Sequence, residues 1–154
     1  MPQSCNSYEK IIKKHEKWIY KKFMEINKKK NEAKNINLEL NRDISKFTDL
    51  IKELILKFSS KLNVRVNKIY FKKMKSRWGS CSAKKNISIN IYLNYLPQKL
   101  IEYVVFHEIA HLLELNHSKK FWSIISSHFP DYKNLEKELS IYWLAINNQK
   151  LDLK

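Results

Sequence analysis

The stretch Tyr103-Val104-Val105-Phe106-His107-Glu108-Ile109-Ala110-His111-Leu112, followed after three intervening residues by Asn116-His117-Ser118, sets the reading of the whole chain. His107 to His111 spells H-E-x-x-H, a pattern that carries chemistry only on a helix. The preceding residues supply one: Pro97 suits a first helical turn, and Leu100, Ile101, Val104 and Val105 recur at helical spacing. Two histidines four apart then project from one face, a turn apart, and their imidazoles can share one zinc at about 2.0 to 2.1 Å. Glu108 is rotated by about 100° from His107, which keeps it off the metal yet beside the metal's open position. A carboxylate there can serve as general base toward zinc-activated water. Ile109 and Ala110 are left to face the core.

A hydrolytic zinc site needs a third protein ligand and one open position. His117 lies six residues after His111, and on a continuous helix it would point about 120° away from it. The helix must therefore stop between them. With no glycine available, Leu115 or Asn116 is expected to break it, asparagine being tolerant of a left-handed turn. His15 and His128 each stand alone among helix residues and read as surface or packing histidines. A metzincin ending has the same histidine spacing, but Glu114 replaces its glycine and no methionine follows Met74, so that reading is rejected.

Upstream of this helix the periodicity changes twice. Tyr8, Ile11, Ile12, Trp18, Ile19, Phe23 and Ile26 recur as an amphipathic helix from about residue 7 to 27, with Asn6 and Glu9 as a capping box. The run from Asn27 to Asn35 is polar enough to be an exposed linker or a frayed helix end. Asn41 or Asp43 can cap a second helix with the stripe Ile44, Phe47, Leu50, Ile51, Leu54, Ile55, Phe58 and Leu62. Val64, Val66, Ile69 and Phe71 then predict a strand, and Ile87, Ile89, Ile91 and Leu93 another. Between them, Ser76-Arg77-Trp78-Gly79-Ser80-Cys81-Ser82 reads as a hairpin loop, with the chain's one glycine in a backbone conformation closed to other residues. Trp78 would pack over the core in this reading, while the loop and its strand could border the cleft and hold an extended peptide by backbone pairing. Ser118 and Asp131 can cap two final helices. Helices flanking a short antiparallel sheet make an α+β fold.

The stretch Met74-Lys75-Ser76-Arg77-Trp78-Gly79-Ser80-Cys81, then Ile89-Asn90 and Leu93, then Tyr103 to Leu112, then Asn116-His117-Ser118 with Phe121-Trp122, closely resembles the YgjP-like metallopeptidase domain family. This zincin-like group is marked by W-G-S-C upstream of H-E-x-x-H and by an N-H-s-x-x-F-W ending, and it is similar in motif to SprT-like proteases, which act on proteins bound to DNA. The resemblance covers about residues 69 to 143, with a fainter match at Lys14-His15-Glu16-Lys17-Trp18-Ile19. It implies a zincin-like fold, His107, His111 and His117 as ligands, and Glu108 as base. Fuller members carry a β-rich segment ahead of the Trp18-type helix, which this sequence is expected to lack. The expected organisation is an N-terminal amphipathic helix and polar linker over 1–35 and a zincin-like metallopeptidase domain over 36–154.

Composition bounds the rest. The 154 residues are 44% hydrophobic, enough for one domain with a real core. Interleaved lysines near the start (Lys10, Lys13, Lys14, Lys17) do not form a signal peptide, no apolar run spans a membrane, and Cys5 and Cys81 make no paired motif. A cytoplasmic protein without membrane contact is expected. The net charge of +15 would attract DNA or RNA non-specifically, although the lysine, isoleucine and asparagine excess is equally what codon bias toward A and T produces.

The expected activity is thus a zinc metallopeptidase with one Zn²⁺ per chain, hydrolysing a peptide or protein substrate by zinc-activated water with Glu108 as general base. Arg77, Trp78 and Tyr142 are candidate substrate-binding residues, with Arg77 or Tyr142 as oxyanion donor. Two rivals stand beside it. One is a basic zinc-dependent nucleic-acid enzyme, since an endoribonuclease family uses three histidines at this spacing, although with H-G-x-x-H and no glutamate. The other is a non-catalytic zinc- or nucleic-acid-binding module, in which a fourth protein ligand would close the site.

Overall fold

The computed structural model describes residues 3–149, with side chains from residue 15 onward. The expected capping box at Asn6 and Glu9, the residues Tyr8, Ile11 and Ile12, and Cys5 lie outside the described side chains. Five helices and three strands follow in the order α1 (Gln3–Lys34), α2 (Ile44–Leu62), β1 (Lys68–Lys72), β2 (Gly79–Cys81), β3 (Asn86–Asn90), a 3₁₀ turn (Ile91–Tyr95), α3 (Gln98–Ala110), α4 (Lys119–His128) and α5 (Tyr132–Gln149).

Helix α1 runs through the polar stretch expected to end it, continuing as helix to Lys34. Tertiary contact supplies what local sequence lacks: Ala33 is buried with Ile141 and Ala145 of α5. Helix α2 is capped by Asp43, whose Oδ1 accepts from Ser45 N at 3.2 Å. It buries Phe47, Ile51, Leu54, Ile55 and Phe58 of the stripe read from its sequence. Phe58 meets Phe106 of α3 edge to face at 5.2 Å, so α3 sits in the centre of the core with α2 on one side. Arg42 fastens the approach to α2, donating to the carbonyls of Asn94 and Leu96 at 2.7 and 2.9 Å.

The sheet is mixed rather than purely antiparallel, with order β1-β3-β2. β1 pairs parallel with β3 and β2 antiparallel with β3. The reason is that Gly79-Ser80-Cys81, read as part of a loop, is itself a strand. The chain crosses from β1 to the far edge, runs back along β2, and turns through Ser82–Lys85 into the central β3. That turn carries the left-handed backbone, at Lys85 (φ 65°). Gly79 has no positive φ, so its expected special backbone conformation is not found. Among the described residues, no helix is long and apolar enough to cross a membrane.

Candidate metal centre

His107 lies in the last turn of α3, and the helix ends at Ala110 with His111 at its C-cap. The break thus comes earlier than Leu115 or Asn116. Leu112 N bonds to Ile109 O at 2.9 Å and Leu113 N to Ala110 O at 3.0 Å, tightening the chain into a turn with neither glycine nor proline. The chain then doubles back, and Ser118 starts α4 by accepting from Phe121 N at 3.3 Å. His117, just before that cap, returns to the face of His107, the two Nε2 atoms 3.3 Å apart.

One nitrogen from each of His107, His111 and His117 lies within 4.8 Å of the others. The three rings are held by aromatic neighbours from α4: His111 stacks on Phe121 at 4.4 Å and His117 on Trp122 at 5.7 Å. This gives the Phe121-Trp122 pair a physical role, fixing imidazole orientation. Burial, then the charges of His111 and His117, push the His107 pKa down to about 3, and burial also lowers that of His111. Both rings are therefore neutral near pH 7, the form that binds metal. Three imidazoles converging on one point are a donor set suited to Zn²⁺ with a position left over. The residues present fit the metal that the motif implies. Ile109 and Ala110 are wholly buried, as their core-facing role requires.

Glu108 is also buried, 7% exposed, on the floor of the cleft. Its pKa is pushed up to about 8 by burial foremost; the Arg77 charge lowers it and Glu136 raises it. Gly79 of β2 packs directly on it: a Cβ at Gly79 would lie 2.9 Å from Glu108 Cγ and 3.1 Å from Ser88 O. Close approach, not backbone freedom, is what demands glycine here.

The cleft, about 480 Å³, is bordered by the three histidines, Glu108, Arg77, Trp78 and the β2 residues Gly79, Ser80 and Cys81. Arg77 is exposed at its rim, and Trp78 is half-buried, meeting Trp143 edge to face at 4.8 Å. Tyr142 does not border the cleft and packs instead against the core. Cys81 borders the cleft but is not grouped with the histidines, and burial pushes its thiol up to about 11, far from a ready metal ligand. His15 is exposed, and His128 stacks on Phe106 at 4.8 Å as a packing residue.

Two features had no assigned role in the sequence reading. Asn90 is fully buried, and its Nδ2 donates to the carbonyls of Met74 and Arg77 at 3.0 and 2.9 Å, pinning the loop that carries Arg77 to the rim. An asparagine ending an apolar strand was its only local signal. Glu136 of α5 meets Tyr103 and His107, a contact with no local signal at all.

Comparison with known proteins places the chain in a family. The family model for the YgjP-like metallopeptidase domain matches residues 42–142. The sequence is 31% identical over 67 residues to a UTP pyrophosphatase of Escherichia coli (strain K12), a match covering 44% of this chain and 40% of that protein. The chain thus spans less than half the length of this curated relative. The metallopeptidase zymogen abylysin of Pyrococcus abyssi superposes with a TM-score of 0.52 at 20% identity, covering 68% of this chain and 99% of that one. This likeness is one of fold, the zincin-like α+β fold. The zymogen jannalysin of Methanocaldococcus jannaschii is 28% identical with a TM-score of 0.48, covering 66% and 95%.

Proposed function

The chain belongs to the YgjP-like metallopeptidase domain family, and from that premise we propose that it is a zinc-dependent peptidase with Glu108 as its general base. The observation that carries this reading is the convergence of His107, His111 and His117 on one point beside a buried carboxylate that does not join them. His107, His111 and His117 would hold one zinc, which when bound polarises a carbonyl and makes water acidic near neutral pH. Glu108 takes the proton of the attacking water and returns it to the leaving amine. Gly79 leaves Glu108 room to lie against β2.

The cleft suits an extended polypeptide. β2 is an edge strand, paired with β3 on one side only, and all three of its residues border the cleft. Its free backbone groups can pair with a substrate strand. Arg77 at the rim can donate to the oxyanion or to a substrate carbonyl. Tyr142, packed against the core, is less suited to that role.

A second reading is favoured by the relationship to a UTP pyrophosphatase: the same histidines and Glu108 could direct water at a phosphoanhydride, with Arg77 facing the phosphates. One experiment separates the two. Zinc-loaded protein is incubated with an unfolded protein substrate and, separately, with UTP. The peptidase reading expects polypeptide fragments and no pyrophosphate; pyrophosphate release with an intact polypeptide would replace it with the second reading.

A further inference from the structure

Glu136, on α5, reaches the helix that carries the ligands. Its Oε1 accepts the phenol proton of Tyr103 at 2.6 Å and lies 3.7 Å from His107 Nδ1. Tyr103 and His107 are four residues apart on α3, on one face and one turn from each other, so a single carboxylate on α5 spans both. The His107 ring is therefore addressed on both nitrogens: Nε2 faces His117, and Nδ1 faces the carboxylate.

We propose that Glu136, held in place by Tyr103, is a positioning residue of the metal centre, accepting the Nδ1 proton of His107 so that the Nε2 lone pair faces the metal. The inference rests on the zinc reading above. A neutral imidazole has one N–H and one lone pair, and which nitrogen carries the proton is set by the partner of the other. A carboxylate acceptor at Nδ1 fixes the tautomer, stops ring rotation and makes Nε2 a stronger donor. At 3.7 Å the two groups are within reach but not hydrogen-bonded; with zinc held they would close to the roughly 2.7 to 2.9 Å of a charge-assisted bond. Tyr103 supplies what a lone glutamate would lack. It is wholly buried, and its short bond keeps the half-buried carboxylate from swinging to solvent. His111 has a parallel arrangement, with its Nδ1 3.1 Å from the carbonyl of Glu114. Two of the three ligands thus have an acceptor behind them, one from the backbone and one from a side chain.

The test measures zinc affinity by chelator competition on the full chain, for wild type, Glu136→Ala, Glu136→Gln and Tyr103→Phe, alongside thermal unfolding of each metal-free protein. Glu136→Ala is expected to weaken zinc binding by about 10- to 100-fold. Glu136→Gln keeps a carbonyl acceptor and should lose less, between about two- and tenfold, so it also carries the test if the alanine variant unfolds. Tyr103→Phe should fall between Gln and wild type, and the Co²⁺-substituted variants should keep the wild-type absorption envelope, since Glu136 is not itself a ligand. Zinc affinity within twofold of wild type in both Glu136 variants would overturn the proposal and leave the zinc reading intact. A wild-type protein that holds no zinc would overturn both.

Discussion

Gly79 and Glu108 are in van der Waals contact, so close that a single methyl group at Gly79 would come within 2.9 Å of Glu108 Cγ. The contact ties the edge strand β2 to Glu108, the proposed base, and it explains why the chain's one glycine is here. The second close atom, Ser88 O at 3.1 Å, belongs to the central strand, so the glutamate side chain must yield before the sheet does.

Gly79→Ala should therefore displace Glu108 while leaving the histidines in place. We expect zinc affinity to stay within a few-fold of wild type and peptidase turnover to fall by about 10- to 100-fold, as for a reacting group misplaced by roughly 1 Å. Paired chelator competition and turnover measurements check this, and unchanged turnover would show that the base tolerates the shift.

His117, the proposed third ligand, depends on the chain doubling back after Ala110. His117→Ala should weaken zinc binding by more than the about 10- to 100-fold that loss of an outer partner produces, whereas His128→Ala should leave it nearly unchanged. Equal affinities in the two variants would show that the third ligand is misassigned.

Proton linkage gives a stability prediction for the metal-free protein. Burial, followed by the charges of Lys61 and Lys57, holds the His128 pKa below its ordinary value, and the cleft histidines His107 and His111 are lowered too. The unfolded chain takes up protons near pH 6.5 and the folded chain does not, so stability present above that pH is lost as pH falls. Glu108, its pKa raised to about 8 in the fold, works the other way over the same range, so the His128 part is read as a difference. Between pH 7 and pH 5 His128→Phe, which keeps a ring against Phe106 but cannot titrate, should lose less stability, or gain more, than wild type by urea midpoint; identical pH dependence would remove His128 from this account.

The net charge of +15 should give weak, sequence-independent binding to DNA or RNA that weakens steeply with salt. Titrations at low and high salt check this. Affinity that does not change with salt would indicate a specific site, and no binding at low salt would leave codon bias as the origin of the lysines.

What the sequence disclosed follows the range of its interactions. The His107, Glu108 and His111 arrangement was legible because helical spacing alone fixes it, and His117 because a ligand at that distance requires a helix break. The break itself was misplaced. It depends on turn bonds from Leu112 and Leu113 rather than on a glycine or asparagine signal. The three-residue strand β2 was hidden in a loop-like composition because it exists only through pairing with β3. The length of α1 was under-read for the same reason, its polar end being held by Ala33 against α5. Glu136 could not be found by pattern, since 29 residues separate it from His107 and only the packing of α5 over α3 brings them together. Tyr142 read from sequence as a candidate substrate-binding residue, but it packs against the core.

The central claim is that Glu108 is the base, and Glu108→Gln tests it most directly, because glutamine keeps the shape and a hydrogen-bonding group but cannot accept the proton of water. Zinc content and cleavage of an unfolded protein substrate are measured on the same preparations of wild type and variant. The account predicts one zinc in each and a loss of peptidase activity of about 10²- to 10⁴-fold in the variant. A zinc-loaded Glu108→Gln protein that cleaves the substrate at close to the wild-type rate would contradict it.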